Sequence, residues 1–296
     1  MLSLSFSILA IRYSLPSTAF YLCPYVIILD MAVLSLYVVM LGLVVGSFLN
    51  ALIDRLQTGE TMVNSRSHCD HCGHVLEFWD LIPLFSWLFL GGRCRYCRKP
   101  ISLQNPLVEI TTTSLFLFSF YWVQQNFSGY EFFFLTLFLW IVLACLIVIL
   151  VFDLKHQIIP DRTIVALIIV GVLFHGYFFI TTGSLLWGLS FLNIGLSALF
   201  SALPYLLIII ATNGNGMGGG DMKLALVMGF LLGYPRVLVA HYSAFILGGI
   251  IAIILLALKR KQFGQTVAFG PFLVIGTIIA LFWGEAFIKT YFLLFM

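Results

Sequence analysis

The sequence predicts an all-α polytopic membrane protein of about eight transmembrane helices, carrying a small cytoplasmic zinc-binding insert. Three observations carry this. Hydrophobic residues make up 61% of the 296 and charged residues only 9%, and apolar runs recur near the ~20 residues that cross a bilayer. Two Cys-x-x-Cys pairs fall inside the one sizeable polar interruption. The basic residues segregate: with the C-terminal end of the first span in the cytoplasm, twelve of the fifteen Lys and Arg lie on cytoplasmic segments, and the opposite topology inverts nearly all of them. A formal net charge of +3 is too small to imply a nucleic-acid partner.

Residues 1–30 are apolar but broken by Arg12, Pro16 and Pro24, and they lack the basic start and small-residue cleavage site of a signal peptide. They read as an N-terminal extension or an extra span, with Met31 an alternative start. Residues 31–53 form the first transmembrane helix. Its Gly46 and Ser47 are small enough to admit a neighbouring helix, so packing is their expected role. Asn50 and Asp54 follow one turn apart on a shared face.

Residues 54–106 form the cytoplasmic insert. Cys69 and Cys72 are separated from Cys94 and Cys97 by 21 residues. Thiolates two residues apart both reach one ion, and a second such turn completes a tetrahedral site suited to Zn²⁺. A reducing cytoplasm disfavours the disulfide alternative. Four thiolates leave no open position, so the expected site is structural. His68, His71 and His74 crowd the first knuckle and read as solvated loop histidines. Between the knuckles, Val75 to Leu90 is too short and too interrupted to span, and Trp79 and Trp87 suit the membrane interface.

Residues 107–296 form the remaining bundle, with spans expected over 107–127, 131–151, 163–182, 184–212, 222–234, 237–258 and 267–294. Glu109 near a helix start is explained by the helix dipole. Asp161 looks like the cap of its span, and Lys223 snorkels to the surface. The Phe269-Gly-Pro-Phe272 turn opens the last helix and demands no chemistry of its own.

Two carboxylates stand apart. Asp153 closes one span, where the helix dipole is unfavourable to an anion, which suits an acid that must hold a proton. Asp221 is delivered to the start of another span by Gly218, Gly219 and Gly220, read as glycines that let the backbone bend and approach an extended substrate. No Gly-Lys-Ser/Thr follows, so a nucleotide loop is a poor reading. Ionisable groups at membrane depth are costly and normally paired. Asp153 and Asp221 are therefore the candidate catalytic dyad, two acids sharing a proton. A proton-coupled transporter is the rival class, but no internal repeats are evident.

Gly46-Ser-Phe-Leu-Asn50, the paired Cys-x-x-Cys knuckles, Asp80-Leu-Ile-Pro83, Asp153 with Ile159-Pro-Asp161, Gly218-Gly-Gly-Asp221 and Phe269-Gly-Pro271 resemble, in order, the motifs of the type IV prepilin peptidases. The likeness spans roughly residues 31–275. It implies a GxGD-type aspartyl endopeptidase of the bacterial inner membrane, with Asp153 and Asp221 facing the cytoplasm. The implied substrates are prepilins or pseudopilins of type IV pili, type II secretion or competence systems. By the same likeness, the new N-terminus is methylated with S-adenosylmethionine. No soluble methyltransferase motif supports that second activity, and the residues that would bind S-adenosylmethionine are not readable.

Overall fold

The computed structural model describes residues 23–58, 67–214, 216–258 and 268–295. The stretch up to residue 22 and the basic run Lys259-Arg-Lys261 lie outside the described residues. Nine α-helices are described: α1 (Cys23–Thr58), a short α2 (Phe85–Phe89), α3 (Gln104–Asn126), α4 (Tyr130–His156), α5 (Asp161–Thr182), α6 (Phe191–Ala211), α7 (Gly219–Leu232), α8 (Arg236–Ala257) and α9 (Gly270–Phe295). Among the described residues, β structure is confined to two isolated bridges in the insert.

Among the described residues, seven helices are long and apolar enough to cross a membrane. The eighth expected span is α7. Its 14 residues rise about 21 Å, short of a ~30 Å hydrocarbon core. Buried Leu224, Ala225, Val227, Met228 and Leu231 line it, so α7 is apolar because it is enclosed by other helices. The fifth span also starts later than its hydropathy implies. Gly183, at φ 74°, ends α5, a 3₁₀ turn occupies Leu186–Gly188, and Ser190 caps α6 by accepting from the Asn193 N–H at 3.2 Å. An apolar run was thus divided by turn and capping chemistry that a hydropathy window does not register.

The centre of the bundle is α4, which packs against α1, α3, α5 and α9. Leu135, Phe138, Leu139, Val142, Leu143, Leu146 and Ile149 are almost wholly excluded from the surface. Helices with apolar residues all round belong in such a position.

Lipid tails give helices no hydrophobic reason to associate, so close backbone approach matters more than in water. At the α1–α3 seam, a Cβ on Gly42 would lie 2.6 Å from Thr113 Cα, and one on Gly46 would lie 2.6 Å from Glu109 Cα. The packing role expected of Gly46 is the one observed. Gly46→Leu drives a side chain into backbone that has nowhere to move. The expected loss is about 1–3 kcal/mol, the usual cost of overpacking, read as a lower thermal midpoint in detergent.

Candidate active site

Asp153 lies in the last turn of α4 and is 4% exposed. The helix ends because Gln157 adopts φ 55° and its N–H closes back on the Asp153 carbonyl at 2.8 Å. Pro160 then precedes α5. This short link turns Ile159 inward, where it is 6% exposed.

Asp221 sits in the first turn of α7, whose N-cap is Gly218. Its carboxylate turns back toward Gly218, and the Asp221 N–H donates to the Gly218 carbonyl at 3.2 Å. Gly218 itself has an extended backbone (φ −75°, ψ 143°), and the left-handed turns come earlier, at Asn213 and Gly214. Backbone freedom at 218–220 is therefore not what these glycines supply. Gly220 is small because a Cβ there would stand 3.1 Å from Ile159 Cβ. A Cβ on Gly219 would meet nothing within 4 Å, so the chain beside Asp221 is open to approach.

The start of α9 completes the arrangement. The Gly270 backbone faces the Asp153 carboxylate, and a Cβ on Gly270 would sit 2.5 Å from Asp153 Oδ2 and 3.3 Å from Ile159 Cδ1. Asp153 Oδ2 is buried without a hydrogen-bond partner among the described residues. Ile159 thus lies against both Gly220, next to Asp221, and Gly270, which faces Asp153, and the two carboxylates lie within electrostatic range of each other. The Phe-Gly-Pro turn, read from sequence as a mere helix opening, holds Asp153. Its glycine before a helix-starting proline was the available signal.

Other polar residues around the pair also differ from expectation. Asp161 is the first residue of α5 and makes no capping bond. Its carboxylate takes the Lys223 ammonium at 2.6 Å, tying the start of α5 to the fifth residue of α7. The first turn of α5 is closed by Thr163, whose hydroxyl donates to the Pro160 carbonyl. Behind Asp221, buried Tyr205 lies within electrostatic range of it. The Tyr205 hydroxyl is 2.9 Å from His241 Nδ1, and His241 Nε2 is 2.7 Å from Ser201 Oγ. Sequence reasoning missed this chain of groups, because nothing local links residues 201, 205 and 241.

In the insert, each knuckle is closed by one of the β-bridges, His68 with Val75 and Arg93 with Pro100. The four sulfurs of Cys69, Cys72, Cys94 and Cys97 lie within 4.8 Å of one another, with Cys69 and Cys97 3.9 Å apart. Ligands at ~2.3 Å around a tetrahedral Zn²⁺ stand about 3.8 Å apart, so the sulfurs fit a four-thiolate metal site. The Cys97 N–H, with that of Tyr96, holds the Cys94 thiol down to about 7 against the effect of burial.

Glu109 is six residues into α3, too deep for the helix dipole to explain it. It is 6% exposed and accepts the Leu84 N–H at 2.6 Å, fixing the insert to the bundle. Leu84 adopts φ 60°, a strained conformation for a leucine that this bond helps hold. Asn50 donates to the Asn105 carbonyl and accepts from Gln104 Nε2, and Asp54 pairs with Lys155 at 3.6 Å. Beneath the insert these residues border a cavity of about 520 Å³.

Asp80 ties the segment between the knuckles to the second knuckle. Despite its burial, hydrogen bonds from Arg95, the Glu77 N–H and Tyr96 hold its carboxyl below the ordinary carboxylate range. A depressed folded-state pKa stabilises the fold above the unfolded value, about 3.9, and that contribution is lost as pH falls through the folded value. Asp80→Asn is therefore expected to loosen the insert at neutral pH. The gap between parent and variant should close below pH ~4, as read by amide exchange over residues 67–103.

The fold and these helix-end groups define a class: helical multi-pass membrane proteins with two carboxylates brought together at one end of the bundle. The chain matches the family model of the bacterial peptidase A24 N-terminal domain over residues 40–123, which hold all four knuckle cysteines. Over residues 140–253, which hold Asp153 and Asp221, it matches the model of the type IV leader peptidase family. It is 30% identical to a prepilin leader peptidase/N-methyltransferase of Pseudomonas aeruginosa, over 86% of this chain and 91% of that one. Proteins of the same name from Stutzerimonas stutzeri (30%; 85% and 91% covered) and Pectobacterium carotovorum (32%; 81% and 90% covered) are also similar. No solved structure matches. The chain belongs to the type IV leader peptidase family.

Proposed function

We propose that the chain removes the leader of prepilin-like proteins at the cytoplasmic face of a bacterial inner membrane, with Asp153 and Asp221 as the catalytic pair. The observation that carries this is that Asp153 faces Gly270 while Gly220, next to Asp221, packs on the Ile159 that also meets Gly270, with the two carboxylates within electrostatic range beside an open glycine backbone. One carboxylate is ionised and takes a proton from water as the water oxygen bonds to the scissile carbonyl carbon. The other is protonated and donates to the carbonyl oxygen. Collapse of the tetrahedral species breaks the C–N bond, with a proton passing to the leaving amine. The segregation of basic residues supports the cytoplasmic placement.

Zinc is the ion proposed for the four cysteines, as a structural clamp on the insert. The new N-terminus is methylated, and the cavity beneath the insert is the one we assign to S-adenosylmethionine. At about 520 Å³ the cavity has the size of a small-molecule site, and Trp87 Nε1 and Gln104 Oε1 on its wall lack hydrogen-bond partners among the described residues. Glu109, Asn50, Gln104 and Asp54 would hold the cofactor, whose sulfonium supplies the methyl group. Lys155 lines the same cavity and lies two residues from Asp153, so the product amine is released close by.

The test is incubation of the purified chain with a prepilin-like substrate and S-adenosylmethionine, followed by the masses of leader and mature product. Cleavage with one added methyl is the expected result. In parallel, Gln104→Ala should weaken binding of labelled S-adenosylmethionine while leader removal continues. Unchanged binding would move the cofactor site elsewhere.

A further inference from the structure

At the opposite end of the bundle from the aspartates, the ends of α3, α5 and α9 and the starts of α4 and α8 surround a cavity of about 740 Å³. None of the chemistry above uses it. Arg236, the first residue of α8, lines this cavity with its side chain only 11% exposed. Its guanidinium lies 4.1 Å from the centre of the Trp187 ring, and its Nη2 donates to Glu285. Its other terminal nitrogen, Nη1, is buried and has no hydrogen-bond partner among the described residues. The same is true of the indole Nε1 of Trp187.

Trp187 is held at φ 66°, a conformation rare for a bulky residue, and such positions persist only where surrounding structure enforces them. Two buried donors without an acceptor of their own, one of them cationic, thus belong to residues that line one cavity, each just behind its wall and brought to it by a turn of the side chain. Buried donors in folded proteins are satisfied, so the missing partner is an oxygen-bearing acceptor, and a guanidinium favours a phosphate or carboxylate. Trp122 and Trp283 also line the cavity, and tryptophans gather where a bundle meets the headgroup layer. That depth selects the source of the acceptor.

We propose that this cavity binds the phosphate of a phospholipid headgroup, taken by Arg236 Nη1 and Trp187 Nε1. Glu285 competes for the same guanidinium and sets the affinity.

The experiment is native mass spectrometry of the full chain in detergent, titrated with phosphatidylethanolamine, phosphatidylglycerol or inorganic phosphate. Thermal midpoints are followed alongside. One lipid should be retained per chain and raise the midpoint, whereas inorganic phosphate should not. Trp187→Phe keeps the ring and removes the donor, and should lower lipid retention several-fold. Arg236→Gln should lower it about tenfold, the scale of one charge-assisted hydrogen bond. Glu285→Gln, which frees the guanidinium, should raise it. Retention equal in the parent and Trp187→Phe overturns the proposal even if Arg236→Gln fails to fold. Protection by inorganic phosphate equal to that by lipid overturns the headgroup as source. Equal retention of the two lipids supports recognition of the phosphate they share, and retention of only one of them overturns it.

Discussion

Asp153→Asn and Asp221→Asn should each lower leader cleavage by about 10²–10⁴-fold, the range for loss of a general acid or base. Because the two groups act as one unit, the double variant should be scarcely worse than either single one. Asparagine is close to aspartate in size and neither side chain carries a structural ion pair, so thermal midpoints should change little. Gly270→Ala probes the same geometry from outside the pair. A methyl 2.5 Å from Asp153 Oδ2 must displace the carboxylate, and rate should fall while both aspartates remain. Normal cleavage by either aspartate variant would make that residue structural, and Asp161 would be the next to try.

Removing the metal is the second large effect. Four-thiolate sites hold their ion with apparent free energies of roughly 10–16 kcal/mol in small peptides, and that energy is folding energy. Cys94→Ser, or a strong chelator, should abolish metal content and expose the amides of residues 67–103 to exchange. The helices of the bundle should stay protected, because α4 and its neighbours share a core that the insert does not enter. Methylation should fall further than cleavage. The proposed cofactor cavity has the insert as one wall, whereas Asp153 and Asp221 are held by α4, α7 and α9. Equal loss of both activities would place the insert in the cleavage step as well.

Much of this was legible in the residues. The helical class, the four-cysteine cluster and the two edge aspartates follow from hydropathy, ligand spacing and the cost of charge in a membrane, all local properties of the chain. The same local view misread several side chains. Asp161 resembled a cap and is an ion-pair partner of Lys223, and Glu109 resembled a dipole anchor and is the acceptor that fixes the insert. The segment after Gly183 resembled the start of a span and is a turn, because Ser190 caps the helix seven residues later.

Sequence by itself determined which residues are costly enough to need a purpose: two carboxylates beside apolar runs and four thiols at ligand spacing. Only the tertiary structure decided who their neighbours are. Gly270 meets Asp153 across more than a hundred residues, and Ile159 fits against Gly220, because helix packing sets those distances and no periodicity encodes them. It also decided that Arg236 and Trp187 share a cavity at the far end of the bundle. The physical reason is the same throughout: propensity and solvation act on each segment alone, whereas a site depends on contacts between segments, made only when the bundle closes.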